Sequence, residues 1–166
     1  MPRPKKLRNV GSPPNIYGMK PIGIRAADTE KLILNLDEYE ALKLADFEGL
    51  SHKKAGEKIG VSRPTFTRLI DSAHKKISSA LVEGKSLIIE GGNIHFDQFL
   101  YICEDCGFRF LKSLEEEVTQ CPSCGSHSVR NMANHFGHGR GCCGRSRRNR
   151  RARRRGNSNR GQGRNN

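Results

Sequence analysis

Two Cys-x-x-Cys-Gly knuckles, Cys103-x-x-Cys106-Gly107 and Cys121-x-x-Cys124-Gly125, stand fourteen residues apart and constrain this chain more than any other feature. Each knuckle puts two thiols on one tight turn, and the trailing glycine lets backbone amides approach the sulfurs. Two such turns complete a tetrahedral all-thiolate metal site. The ligand set is closed, with no position left for a substrate. Zinc is the expected ion, with iron second. A dithiol redox pair or disulfides are the competing readings. The intervening segments 108–111 and 117–120 suit a short hairpin. A unit this small lacks a core of its own, so metal binding and folding are expected to be one event.

Charge is distributed unevenly. From Gly139 onward there are eleven Arg and no acid, and residues 1–25 carry six Lys or Arg and again no acid. Residues 26–138 hold thirteen basic and seventeen acidic residues, a net charge of about −4. The basicity therefore belongs to the two ends. Inside the middle, residues 51–80 carry seven basic and two acidic residues, the local excess that a phosphate-facing element needs. No apolar run is long enough to span a bilayer and the start has no apolar signal core, so a cytoplasmic, nucleoid-associated protein is expected. In that compartment thiols stay reduced, which favours metal ligation by the six Cys.

Proline at positions 2, 4, 13, 14 and 21 keeps the front of the chain extended. A strand-like run, 31–36, follows. Asp37 then reads as an N-cap with Glu40 three residues on, ahead of the helically spaced Ala41, Leu42, Leu44 and Ala45. Ser51 is expected to cap a second helix, 52–59, stopped by Gly60. Ser62 is expected to cap a third, with Pro64 in its first turn and an apolar stripe of Phe66, Leu69, Ile70, Ala73 and Ile77. Segments 86–90 and 93–96 read as a hairpin around Gly91-Gly92.

Residues 52–71 meet the requirements of a bihelical DNA-binding unit. Gly60 supplies a tight turn, Gly56 a close crossing, and Ile59, Val61, Phe66 and Leu69 the buried positions. The third helix then begins with the outward candidates Arg63, Thr65, Thr67 and Arg68 for base edges. Ser62, Lys75 and Lys76 are the candidates for phosphates. A small bundle with solvated charged faces is the plain alternative, but it does not account for the basic excess or the Arg/Thr-rich helix start.

These residues carry a resemblance. The run Leu36-Asp37-Glu38-Tyr39-Glu40-Ala41-Leu42-Lys43-Leu44-Ala45-Asp46, then Glu48-Gly49-Leu50-Ser51 and Gly60-Val61-Ser62-Arg63, resembles region four of sigma factors, which reads the −35 element. Nothing resembles the sigma domain that melts the −10 element. The opening Met1-Pro2-Arg3-Pro4-Lys5-Lys6, the segment 36–51, Gly60-Val61-Ser62-Arg63-Pro64-Thr65-Phe66, Ala80-Leu81-Val82-Glu83-Gly84-Lys85 and Ile89-Glu90-Gly91-Gly92 are similar to an uncharacterised family of small bacterial and archaeal proteins. The resemblance covers about residues 1–92 and implies a DNA-binding protein. The knuckles look like those of rubredoxins, at much shorter spacing.

The expected architecture is a mainly α helix-turn-helix domain with a small β zinc ribbon. Its parts are a basic extended arm (1–28), the helix-turn-helix domain (29–85), a hairpin or linker (86–98), the four-cysteine ribbon (99–130) and a disordered Gly/Arg-rich tail (131–166). Eight Arg among residues 145–155 suit polyanion binding by counterion release, and Arg planes also stack on unpaired bases. The front arm, Arg3, Lys5, Lys6 and Arg8, could lie in a minor groove. His135, His138, Cys142 and Cys143 form a weaker constellation with no fixed geometry. The expected function is sequence-specific DNA binding in transcription regulation, with double-stranded DNA as partner. RNA through the tail and RNA polymerase are further candidate partners, and RNA or ribosome association is the alternative function. No phosphate-binding loop, nucleophile elbow or catalytic dyad is visible, so an enzyme is not expected.

Overall fold

The computed structural model describes residues 7–137. Arg3, Lys5, Lys6, His138, Cys142, Cys143 and the Arg run 145–155 lie outside the described residues. Among these residues, eight short strands and three α-helices follow in the order β1 (Arg8–Val10), β2 (Gly18–Met19), β3 (Lys31–Leu34), α1 (Leu36–Leu42), α2 (His52–Ile59), α3 (Arg63–Glu83), β4 (Ser86–Ile89), β5 (Ile94–Phe96), β6 (Gln98–Cys103), β7 (Arg109–Ser113) and β8 (Val129–Asn131). No helix among them is long and apolar enough to cross a membrane.

Helix α1 starts earlier than its sequence suggests. Asn35, not Asp37, is the N-cap, and its backbone N–H donates to Glu38 Oε2 at 2.8 Å. Leu36 is fully buried and its N–H donates to the Gly91 carbonyl, which fixes the helix start. The Asp37 carboxylate, freed from capping, pairs with Arg8 instead. After Leu42 the helix widens into a π turn, Lys43–Phe47, closed by the Glu48 N–H on the Lys43 carbonyl.

Helix α2 occupies the expected residues, with Ser51 Oγ accepting from the Lys54 N–H. Gly60 ends it in the left-handed region at φ 80°. A Cβ on Gly56 would stand 3.0 Å from the Val61 carbonyl oxygen and 3.4 Å from Phe66 Cβ, so a side chain there would have to push the turn back by a few tenths of an ångström. The three helices close on Ala41, Leu44, Ala55, Ile59, Phe66, Leu69 and Ile70. Phe66 and Ile59 have no exposed surface. Burial of each contributes roughly 1.5–3 kcal/mol.

The strands form three small sheets. Strand β1 pairs in parallel with β5; β4 lies between antiparallel β2 and parallel β3; and β6 lies between antiparallel β7 and β8. Strands β4 and β5 are therefore not a hairpin. Gly91-Gly92 turns the chain, but β2 and β3 already fill both edges of β4, and β5 goes to β1. From Arg8 the front segment is built into the fold through strands β1 and β2, and it ends in a 3-10 turn, Ala26–Asp28, rather than in extended chain. Val10 is fully buried and its carbonyl accepts from the Asp97 N–H.

A second core cluster joins Val10, Leu34, Leu36, Ala73, Leu87, Ile89, Ile94, Phe96, Phe99, Tyr101 and Ala133. It runs through the helical part, the small sheets and the Cys-bearing sheet, so residue 98 is not a packing boundary. Within that sheet, β7 pairs with β6, whereas residues 117–120 form no strand and β8 takes the other edge. The ordered chain also continues past residue 131. Met132 and Ala133 are buried in a 3-10 turn, His135 stacks on Tyr17 at 3.6 Å, and Phe136 packs edge-on against Phe96. Met132, Ala133 and Phe136 are the apolar side chains that dock residues 131–137.

Candidate nucleic-acid interface and metal centre

Helix α3 is held on both flanks. On one side Ser72 Oγ donates to Glu38 Oε1 at 2.7 Å, and Lys76 Nζ donates to Glu38 Oε2 at 2.6 Å. On the other, His74 Nε2 meets Asp46 Oδ2 at 2.7 Å, and His52 Nδ1 lies 3.0 Å from Thr67 Oγ1. The Thr67 hydroxyl donates to the Arg63 carbonyl, so its oxygen is left to accept, which assigns the proton to His52 Nδ1. The His52 ring also lies against Phe66 at 5.3 Å. These contacts set the rotation of α3 about its own axis.

That rotation decides which residues face out. Pro64, Arg68, Asp71, Lys75 and Ser78 follow the three- and four-residue spacing of one helix face. Pro64, Arg68, Asp71 and Lys75 are exposed there. They lie opposite Phe66, Leu69, Ile70 and Ala73, the buried face. Arg63 and Ser62 are exposed at the helix start. Ser62 occupies the N-cap position, but its hydroxyl bonds the Thr65 hydroxyl at 2.9 Å rather than a backbone N–H.

Of the seven residues singled out from sequence for this surface, the structure brings Ser62, Arg63, Arg68 and Lys75 to solvent. The Thr65 and Thr67 hydroxyls instead bond within the protein. Lys76 turns inward. Its ammonium is committed to the buried Glu38, so it is a strut between α1 and α3 and is not presented as a phosphate ligand. Lys53 and Lys54, exposed in the first turn of α2, are cations that the sequence reading did not single out. Their signal was present, because they closely follow the Ser51 cap at a helix N-terminus.

The four thiols Cys103, Cys106, Cys121 and Cys124 converge, with all sulfurs within 4.8 Å of one another. Cys103 Sγ lies 3.6 Å from Cys124 Sγ, and Cys106 Sγ lies 3.7 Å from Cys121 Sγ. A tetrahedron of thiolates at about 2.3 Å from a central ion has edges of about 3.8 Å, so the residues fit a four-coordinate metal. The two knuckles are built alike. The Cys103 N–H donates to the Phe108 carbonyl and the Gly107 N–H to the Cys103 carbonyl. The Cys121 N–H donates to Ser126 and the Gly125 N–H to Cys121 in the same way. The Ser126 hydroxyl also donates to the Asp105 carboxylate, tying one knuckle to the other.

Electrostatics make the same point. The Cys106 backbone amide, with others, pulls the Cys103 thiol down to about 7. The Ser126 amide pulls Cys124 down too, but the crowding thiols of Cys106, Cys103 and Cys121 outweigh it and push Cys124 up to about 12. A cation at their centre would offset the repulsion among four thiolates this close. His127 is not part of the cluster, because its Nδ1 is 2.8 Å from the Thr119 carbonyl. His135 is engaged with Tyr17, while its three companions in the weaker constellation lie outside the described residues.

Residues 1–97 match the family described as Protein of unknown function DUF134. A UPF0251 protein of Chloroherpeton thalassium is 46% identical over 132 residues, covering 80% of this chain and 87% of that protein. A UPF0251 protein of Methanothermobacter thermautotrophicus is 41% identical over 130 residues, covering 78% of this chain and 67% of that protein. A third, from Caldicellulosiruptor bescii, is 38% identical over 143 residues, covering 86% and 95%. These likenesses are longer than the 97 matched residues and therefore extend beyond β5.

Proposed function

The chain belongs to the family described as Protein of unknown function DUF134, and for this member we propose sequence-specific binding of duplex DNA in transcription regulation. The observation that carries the reading is the outward face of α3, a rigidly braced helix that presents Arg68 and Lys75 opposite its buried side. The major groove admits one α-helix, and bound phosphates favour such a cationic line. On this reading α2, Gly60 and α3 form a helix-turn-helix. Arg63 and Arg68 reach base edges, where Arg pairs with guanine O6 and N7. Lys53, Lys54, Ser62 and Lys75 meet phosphates. The basic residues of both chain ends add affinity that is independent of sequence and falls with salt.

The four-cysteine cluster holds zinc on this reading, as a structural ion with no open coordination position. The protein is then a binding protein rather than an enzyme. A second reading, RNA or ribosome association, draws support from the eight Arg in residues 145–155. The Cys-bearing segment 99–130 lends it none, since it holds three basic and five acidic residues.

Selection of sites from a random duplex library at near-physiological salt tests the proposal on the full chain. An enriched motif that loses one or more positions in Arg68→Ala is the expected result. No enrichment, together with tighter retention of single-stranded or structured RNA at equal salt, transfers the function to RNA.

A further inference from the structure

The outward face of α3 contains one residue that does not suit a purely phosphate-binding surface. Asp71 lies three residues after Arg68 and four before Lys75, on the same line and exposed to solvent. It is one of two acidic residues among nine charged ones in residues 51–80, and the other, Glu57, belongs to α2. Both cations are within helical reach of it, yet among the described residues the Asp71 carboxylate forms no ion pair and no side-chain hydrogen bond. The carboxylates that brace α3 are engaged: Glu38 with Ser72 and Lys76, and Asp46 with His74. Among the described residues, Asp71 therefore braces no neighbouring element.

Its cost on a DNA-binding face is clear. A carboxylate brought against phosphates is repelled, and the repulsion is poorly screened once the groove is closed. One chemistry offsets this. An aspartate in the major groove accepts from the exocyclic amino group of cytosine, and it rejects bases that present only acceptors. Two turns into the helix, on the line of Arg68, it is placed to read a base pair close to the one that Arg68 reads.

We infer that Asp71 is a specificity-determining residue, the acceptor that reads a cytosine N4 amino group beside the guanine read by Arg68. The inference rests on the DNA-binding reading above. Discrimination at that position is expected to be about five- to 150-fold, the usual worth of one good base contact. The effect of the carboxylate is twofold: it selects one base, and it lowers affinity for every sequence that lacks it.

Parallel site selections with the wild-type chain, Asp71→Ala and Asp71→Asn, each at the same salt, test the inference. In Asp71→Ala a single cytosine position should lose its preference while the remaining motif persists, and affinity for random duplex should rise. In Asp71→Asn the same position should move to adenine, whose N6 and N7 suit an amide. A wild-type motif that stays unchanged at every position in Asp71→Ala overturns the role of Asp71 and leaves base reading by α3 standing. Absence of any motif in the wild type overturns both.

Discussion

Glu38 on α1 and Lys76 on α3 are joined by a 2.6 Å ion pair whose carboxylate side chain is 5% exposed and whose ammonium side chain is 27% exposed. The neighbouring Lys75 is exposed to solvent. Two adjacent lysines thus perform different tasks, and their substitutions should separate cleanly. Lys76→Ala leaves a buried carboxylate with only Ser72 and the Asn35 amide, and should destabilise the fold by about 2–3 kcal/mol. Lys75→Ala should leave the urea midpoint unchanged. Measured against salt, duplex affinity should lose about one unit of slope in Lys75→Ala, the signature of one phosphate contact. A lost unit of slope in Lys76→Ala would place its ammonium on DNA and contradict the strut.

The crossing of α2 and α3 should be intolerant of any added atom. Gly56→Ala puts a Cβ 3.0 Å from the Val61 carbonyl oxygen, which belongs to the turn and cannot rotate aside. Overpacking of this kind costs about 1–3 kcal/mol, and Gly56→Val should cost more. Phe66→Ala, from the opposite side of the same contact, should cost about 3–5 kcal/mol. Denaturant unfolding monitored by helical circular dichroism gives all three values. A Gly56→Ala chain as stable as wild type would show that the helices can separate freely at this point.

What the sequence made legible follows from how local each signal is. Helix α2 was readable because Ser51 and Gly60 punctuate it and Gly56 marks the crossing. The cysteine cluster was readable because the knuckle spacing itself fixes where four sulfurs can meet. The start of α1 was not, since Asp37 and Glu40 offer the same capping pattern as Asn35 and Glu38. Only tertiary partners, Arg8 for Asp37 and Gly11 for Glu40, settle which pair caps. Strands β4 and β5 were readable as strands, but their partners were not, because a glycine turn says nothing about which edges are already filled. Lys75 and Lys76 are equivalent in sequence and differ by a single step of helix rotation. Met132, Ala133 and Phe136 were hidden by the composition around them.

Glu40 gives the fold a calculable response to pH. Its carboxylate is almost fully buried, with Oε1 accepting from the Gly11 N–H at 3.1 Å and Oε2 without a hydrogen-bond partner among the described residues. Burial raises its affinity for a proton above the ordinary value near 4.5, against the weaker pull of Lys43 and the Gly11 amide. The folded state therefore holds this proton to higher pH than the unfolded state. Stability contributed by the protonated form is present at low pH and is lost as pH rises from the ordinary carboxyl range through the raised folded value. Glu40→Gln, which keeps the carbonyl for Gly11 and carries no charge, should remove that loss. Unfolding free energies of the two chains across this window should diverge with rising pH, the variant gaining on the wild type. A constant difference would show that folding does not raise the proton affinity of Glu40.

Metal removal should reach well beyond the knuckles. Strand β6 ends in Cys103 and carries Phe99 and Tyr101 into the same core cluster as Leu34, Leu36 and Ala73 of the helical part. Loss of an ion held by the four thiols would free both knuckles and with them the alignment of β6, β7 and β8, since binding of a structural metal and folding of such a unit are one event, worth roughly 10–16 kcal/mol in isolated peptides. A strong chelator at neutral pH should release one metal per chain, read by a chromophoric indicator, and lower the thermal midpoint of the helical signal as well as the sheet signal. Cys121→Ser should do the same without chelator, Cys121 being buried among the four converging thiols. Release of metal with the helical transition unmoved would mean that the Cys-bearing sheet unfolds independently and that the shared core contributes little to α3.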